Sequence, residues 1–323
     1  MIFRFFKHFC FNSISWALNT SNDDILVGGQ AVIEGVMMRS PKGYSVAVRR
    51  QDGGMRVIKD TLKTAAEKWK LFKYPIFRGV GVLGQALVLG IKALQFSAAE
   101  AIAEEEAKQQ ITPKASKKEK DSQTSSWFIA GNLVIALGMN IVLFVVLPLF
   151  LTRLLQSELG FESSLLFNAI DGVFRVSVFV LFLFLVSQMR DMRRVFQYHG
   201  AEHKTVYNFE AKENLNVLNA QKYSTLHPRC GTSFLLVVVV VSIVVFSVVQ
   251  FPSIGGKLLA RVVLLPLVAG ISYEIIRYAA KHPRSLLRWV TFPGLMLQKI
   301  TTKEPDEPQL ETAIRALEEA LTV

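Results

Sequence analysis

At 323 residues the chain is 51% hydrophobic and sets 37 Lys and Arg against 26 Asp and Glu, a formal net charge of +11. The apolar residues gather in long runs, which excludes an ordinary soluble domain. The basic residues cluster where those runs begin and end, which favours anionic lipid headgroups over nucleic acid as partner.

Met1–Thr20 starts with phenylalanines broken by Arg4, Lys7 and His8. It lacks the continuous apolar core and small-residue cleavage site of a signal peptide, and an interfacial stub over residues 1–24 is predicted. Residues 25–74 read as a small cytoplasmic β-rich region. Tyr44–Arg50 and Met55–Asp60 flank the turn Asp52-Gly53-Gly54, and an antiparallel sheet of two or three strands is predicted, followed by a helix over 61–70. Within 75–100, Gly79–Ile91 is apolar but short and rich in glycine, the mark of an interfacial or re-entrant helix or of one packed closely on a neighbour. A full crossing here would put the sheet outside, against the distribution of positive charge. Residues 101–126 form a charged linker.

Residues 127–300 carry four apolar runs, Trp127–Leu151, Val173–Met189, Ser233–Phe251 and Val262–Ala280. Each is near the roughly 20 residues that cross a hydrocarbon core about 30 Å thick. Lys108–Lys120 holds five basic residues and the loop 190–232 holds seven, whereas Thr152–Gly172 holds only Arg153. The expected fold is therefore an α-helical polytopic membrane protein of about four transmembrane helices. Its small N-terminal antiparallel β-sheet and both termini lie on the cytoplasmic side. The tail 301–323 is an extended strip and then an amphipathic helix with Leu310, Ile314, Leu317 and Leu321 on one face. Cys10 and Cys230, far apart and both on the cytoplasmic side of this topology, argue against a structural disulfide.

Scarce ligand types meet in the loop 190–232. His199 and His203 are one helical turn apart, with Glu202 beside them, and His227 and Cys230 follow just before the third span. His-x-x-Glu-His is the order in which two histidines bind a metal and the glutamate acts as general base. With His227 and Cys230 the set has the pairwise spacing of a four-ligand site for a divalent transition metal, zinc foremost. Four protein ligands would close the site; three would leave a position for water, with Glu202 as acid/base. Alternatively, the histidines cap or hydrogen-bond a juxtamembrane helix and Cys230 is a small buried hydrophobe. A straight continuation of the second span would carry His199 about 15 Å past it, so the helix must tilt or break for the ligands to meet.

Further polar candidates are Glu274, Glu34, Arg39, Arg229 and Lys204. Glu274 lies inside the fourth apolar run and needs a partner, Arg277 being the nearest in sequence. Arg175 in the second span is expected to snorkel. Glu34 and Arg39 sit in a glycine-rich turn region, and Arg39, Lys204 and Arg229 could meet an anionic headgroup.

The stretches Gly28-Gly29-Gln30-Ala31-Val32-Ile33-Glu34-Gly35-Val36-Met37-Met38-Arg39, Tyr198-His199-Gly200-Ala201-Glu202-His203-Lys204 and His227-Pro228-Arg229-Cys230-Gly231-Thr232-Ser233-Phe234, with the strip Thr301-Thr302-Lys303-Glu304-Pro305, resemble the YqhQ-like family of bacterial membrane proteins. The resemblance implies a multi-pass protein of the bacterial inner membrane and a domain of unestablished function, sometimes labelled a predicted metal-dependent enzyme. Two functions follow as expectations. One is a metal-dependent hydrolase acting on a membrane-associated substrate. The other is a non-enzymatic scaffold or biogenesis factor with a protein partner or a second copy of itself, its metal structural or lacking.

Overall fold

The computed structural model describes residues 27–63, 67, 69–111, 135, 138–228, 230–249, 254–282 and 288–323. The predicted stub 1–24, Arg229, residues 112–126 of the predicted linker and residues 64–66 and 68 of the predicted 61–70 helix lie outside the described residues.

The N-terminal strands form one antiparallel sheet of four, rather than two or three, in the order β1 (Gly28–Val32), β2 (Gly35–Arg39), β3 (Gly43–Arg49) and β4 (Met55–Thr61). The strand hidden from sequence reading follows a two-residue turn, Ile33-Glu34, that lacks the usual glycine or asparagine. Glu34 holds φ at +51° there. Its carboxylate accepts a hydrogen bond from Arg194 Nε at 2.6 Å and faces the Tyr198 hydroxyl at 3.4 Å, so tertiary contacts hold a conformation that local preference disfavours.

Both faces of the sheet are covered, which is why β2 and β3 read as nearly unbroken apolar runs. Val36, Met38 and Ala47 join a core with Tyr198 and Ala201 of one helix and Leu310, Ile314 and Leu317 of another. Val32, Met37, Tyr44, Val46 and Val48 point the other way, onto Leu89 and Ala93.

That second cover is α1 (Phe77–Ile111), which runs on past the expected boundary at residue 100. Its start packs on the fourth apolar run, where Gly79 and Gly270 allow close approach to Tyr273 and Ile76. Further along, Glu100 pairs with Arg50 at 3.0 Å, and Glu104 accepts from the Gln51 amide at 2.8 Å. The helix thus leaves the apolar helices to lie along the sheet.

A π-helical turn, Val142–Val146, leads into α2 (Leu147–Leu159), where Pro148 cannot donate an ordinary helical hydrogen bond. Gly160, at φ +67°, ends α2, and Ser163 caps α3 (Ser164–Ser187) through its contact with the Leu166 amide. α6 (Gly231–Val248) and α7 (Ile254–Lys281) complete the apolar set. Between α3 and α6 stand α4 (Arg190–Glu210) and the short α5 (Val217–Gln221). After α7 come α8 (Arg288–Thr301) and α9 (Glu307–Leu321).

Among the described residues five helices, not four, are long and apolar enough to cross a membrane. They are Phe77–Ala107, Gly138–Leu159, Ser164–Ser187, Gly231–Val248 and Leu259–Ala279. The added one is α1, whose glycines interrupt its apolar pattern without interrupting the helix. Two pairing expectations are also corrected. Glu274 is held chiefly by Arg78, whose Nε donates to it at 2.6 Å, rather than by Arg277. Arg175 pairs with Asp171 at 2.9 Å rather than simply snorkelling.

The C-terminal helix α9 opens with a capping box between Asp306 and Gln309. Its apolar face is spent inside the molecule: Leu310 and Leu317 are fully buried against the sheet and α4. Leu317→Ala should therefore destabilise the folded protein by about 2–5 kcal/mol. A thermal-unfolding midpoint in detergent that matches the wild type would contradict this docking.

Candidate metal centre

Two breaks in the helical pattern bring the ligands together. The first is at Met189, whose extended backbone (φ −70°, ψ 135°) separates α3 from α4, so α4 is a new helix and not a straight extension. The second lies between α5 and α6, where Thr225 and Leu226 return the chain to α4 at His203 and Tyr207 and Cys230 becomes the N-cap of α6.

His199, His203 and Cys230 converge: one ligand atom from each lies within 4.8 Å of the others. His199 Nδ1 lies 2.8 Å from the Thr301 carbonyl and His203 Nδ1 lies 2.5 Å from the Thr225 carbonyl. A carbonyl can only accept, so both Nδ1 atoms carry a proton, and in a neutral ring the Nε2 atom is then the one with a lone pair to offer a metal. His199 Nε2 faces Cys230 Sγ at 3.1 Å. His203 Nε2 is buried without a hydrogen-bond partner among the described residues, and Glu202 Oε2 stands 3.4 Å from it. Glu202 is itself oriented, because its Oε1 accepts from the Gly29 amide of β1 at 2.8 Å. Backbone carbonyls that fix ring tautomers, and an amide that fixes a carboxylate, are the outer contacts that metal ligands ordinarily have.

Two glycines make these approaches possible. A Cβ on Gly200 would lie 2.1 Å from the Lys303 carbonyl oxygen, so only glycine lets the 301–303 strip cross α4 beside His199. A Cβ on Gly29 would lie 2.4 Å from the Met37 carbonyl and 2.9 Å from Glu202 Cγ.

His227 is brought near but turned aside. Its ring centre lies 5.6 Å from that of His203, while Nε2 stands 3.5 Å from Glu210 Oε2 and the ring edge meets Tyr207. Burial pushes the His227 imidazole down to about 4, partly opposed by the Glu202 charge, so this ring is neutral at physiological pH. The other sequence candidates lie elsewhere. Lys204 donates to the Gln221 carbonyl at 3.0 Å and pairs with Glu304, whereas Arg39 is half-buried near Tyr273. Burial lowers the Arg39 guanidinium from its ordinary value. Glu34 is tied to Arg194, and the hydrogen bond that Arg194 donates to Glu34 raises that guanidinium.

Gln298 and Glu210 are site residues that sequence reading missed. Gln298 on α8 accepts from the His227 amide at 2.7 Å and donates to the His227 carbonyl at 2.8 Å and the Ser233 hydroxyl at 3.1 Å. Nothing in its sequence neighbourhood marks it, since its partners are 71 and 65 residues away. Gln298→Ala leaves buried backbone groups of the ligand loop without partners. It should cost about 1–3 kcal/mol, and an unchanged unfolding midpoint would show the clamp to be dispensable.

Residues 74–323 match the family described as "Protein of unknown function (DUF1385)", which takes in all of the converging ligands. A relative from Bacillus subtilis (strain 168), "Uncharacterized protein YqhQ", is 32% identical over 296 residues, covering 91% of this chain and 92% of its own. No solved structure matches the chain. With most of its length matching the family model, and such a relative aligned over nearly all of both chains, this chain belongs to the YqhQ-like DUF1385 family.

Proposed function

We propose that this protein binds a divalent transition metal, zinc foremost, through His199, His203 and Cys230, and uses it to hydrolyse a membrane-associated substrate. One observation carries the reading. Two imidazole nitrogens and a sulfur converge on one half-buried point, the Glu202 carboxylate stands beside it 3.4 Å from His203 Nε2, and that buried nitrogen has no hydrogen-bond partner among the described residues. Acceptors crowded this closely repel unless a proton or a metal ion sits between them, and the donor set suits a metal. Sulfur with imidazole suits zinc better than magnesium or calcium.

When bound, the ion supplies Lewis-acid polarisation of a carbonyl or phosphoryl oxygen. The chain's own part is positional. Thr301 and Thr225 aim the imidazoles, and the Gly29 amide holds one Glu202 oxygen so that the other is free to take a proton. His227 is the candidate fourth ligand and would have to turn from Glu210 to serve. Metal analysis of protein purified without a histidine tag should find about one ion per chain, from a single three- or four-ligand site. His203→Ala and Cys230→Ser should lose it, while Glu202→Gln keeps it. A metal-free wild type, purified without chelators, would end this reading.

A structural metal in a non-enzymatic scaffold is the second reading, favoured by the way the site ties segments around Thr225, Cys230 and Thr301 to α4. X-ray absorption separates the two. A shell of four protein ligands including His227 supports the scaffold, and three protein ligands plus a light scatterer support the hydrolase.

The membrane arrangement belongs to the same proposal. We place the sheet, α4, α9 and both termini on the cytoplasmic side of a bacterial inner membrane, the basic flanks against anionic headgroups. Four helices cross, and α1 lies at the interface. This is supported by α1's own contacts: from Leu89 onward it packs on the polar sheet domain, which a crossing helix could not do. Exposed Trp69, Tyr74 and Phe77 beside Lys70 and Lys73 make the aromatic and basic belt of such an interface. In a background with the native cysteines replaced by serine, a membrane-impermeant maleimide should label Glu162→Cys in intact cells, and Asp52→Cys only after permeabilisation. Labelling of Asp52→Cys from outside would mean that α1 crosses.

A further inference from the structure

A second polar cluster lies within the apolar helices and takes no part in the metal centre. Asp171 of α3, 5% exposed, is 2.9 Å from Arg175 Nε one turn along and 3.3 Å from Arg261 Nη2 of α7. Both guanidinium groups address the same oxygen, Oδ2, so the cluster holds one positive charge in excess. Its hydrogen bonding is incomplete as well. Asp171 Oδ1 and Arg175 Nη2 are buried without a hydrogen-bond partner among the described residues.

The cluster sits at the far end of the bundle from the histidines. Gly172 lies against Ile243, and Arg261 is 5.8 Å from the centre of the Phe246 ring, both near the C-terminal end of α6. Cys230 caps the other end, about 24 Å away at the helical rise of 1.5 Å per residue.

Excess charge inside hydrocarbon is costly and marks a site that something else completes. A self-contained structural ion pair would be expected to balance its charge and use its guanidinium forks. Here an anion-seeking donor, an unused carboxylate oxygen and side chains still 15% and 13% exposed remain together. Guanidinium forks match the oxygens of phosphate, and aligned pairs bind it tightly.

We propose that Asp171, Arg175 and Arg261 form a binding site for a phosphate group, carried by a lipid headgroup or present as free phosphate, at the end of the bundle remote from the metal centre. Arg175 Nη2 and the remaining donors of Arg261 take the phosphate oxygens. Asp171 spaces the two guanidinium groups, and its Oδ1 accepts from a hydroxyl of the headgroup or of the phosphate. The site is independent of whether His199, His203 and Cys230 hold a metal.

The test uses the full chain in detergent, stripped of lipid, with native mass spectrometry for added phosphatidylglycerol and calorimetry for inorganic phosphate. Binding of phosphatidylglycerol alone identifies a headgroup site, and binding of both probes identifies a site for phosphate itself. In either case Arg175→Gln and Arg261→Gln should each weaken binding by roughly tenfold, the scale of one charge-assisted hydrogen bond. Asp171→Asn guards against variants that fail to fold. As a spacer next to a bound anion it should bind the probe as well as wild type or more tightly. Neither probe binding to the wild type, or binding unaffected by both arginine variants, overturns the proposal. So does an Asp171→Asn protein that stays folded and loses binding.

Discussion

The arrangement turns on one crossing, where the Thr301–Lys303 strip passes over α4 at Gly200. The Lys303 amide donates to the Phe196 carbonyl at 2.9 Å, and the contact at Gly200 leaves no room for a side chain. In a helix interior glycine costs about 1 kcal/mol relative to alanine, so the position is locally unfavourable. What it permits is the hydrogen bond from His199 Nδ1 to Thr301, which settles where that ring's lone pair points. It also divides the C-terminal segment. α8 is left against the apolar helices, where Gln298 holds the His227 loop, and α9 on the sheet side, where it fills the core.

The sheet is the counterpart of that crossing. It is too small to stand alone, and its two faces are completed by elements far along the chain, α1 on one side and α9 with α4 on the other. Through Gly29 it reaches the site directly, since the β1 amide is what orients Glu202. The N-terminal strands, the loop 222–230 and the C-terminal strip therefore act on one cluster. A change of packing at any of them is transmitted to a ligand or to Glu202 by a single hydrogen bond.

Much of this was legible in the sequence, and the failures have physical causes. The His199 and His203 pair follows from helical spacing, and the break before α4 from the need for the ligands to meet; Met189 supplies it. Hydropathy located four of the five long apolar helices, but α1, the least apolar of them and interrupted by glycines, also lies on a sheet, and that contact leaves no mark on its hydropathy. Partners distant in sequence leave no local trace: Arg78 and Glu274 are 196 residues apart. Asp171 was different. Its i,i+4 spacing to Arg175 was readable, but it lies just before the apolar run as drawn from hydropathy, so the pair was split at a boundary. A turn around Glu34 was readable from its flanking glycines, but that Glu34 itself takes the positive φ was not, because Arg194 and not its residue type stabilises that backbone.

The position of the candidate metal centre follows from the same economy of polar groups. α6 must begin with unpaired amides, and Cys230 meets one of them by accepting from the Thr232 amide at 3.4 Å. A serine could cap that helix as well, but it would not offer sulfur to His199 Nε2. Likewise Thr225 and Thr301 present carbonyls that neither belongs to a sheet nor continues a helix ladder, and the two imidazoles satisfy them. The ends of the helices thus supply the groups that aim the ligands. In a protein whose helices must otherwise satisfy every backbone group internally, the chain has free carbonyls and amides for such a purpose only where helices start and stop.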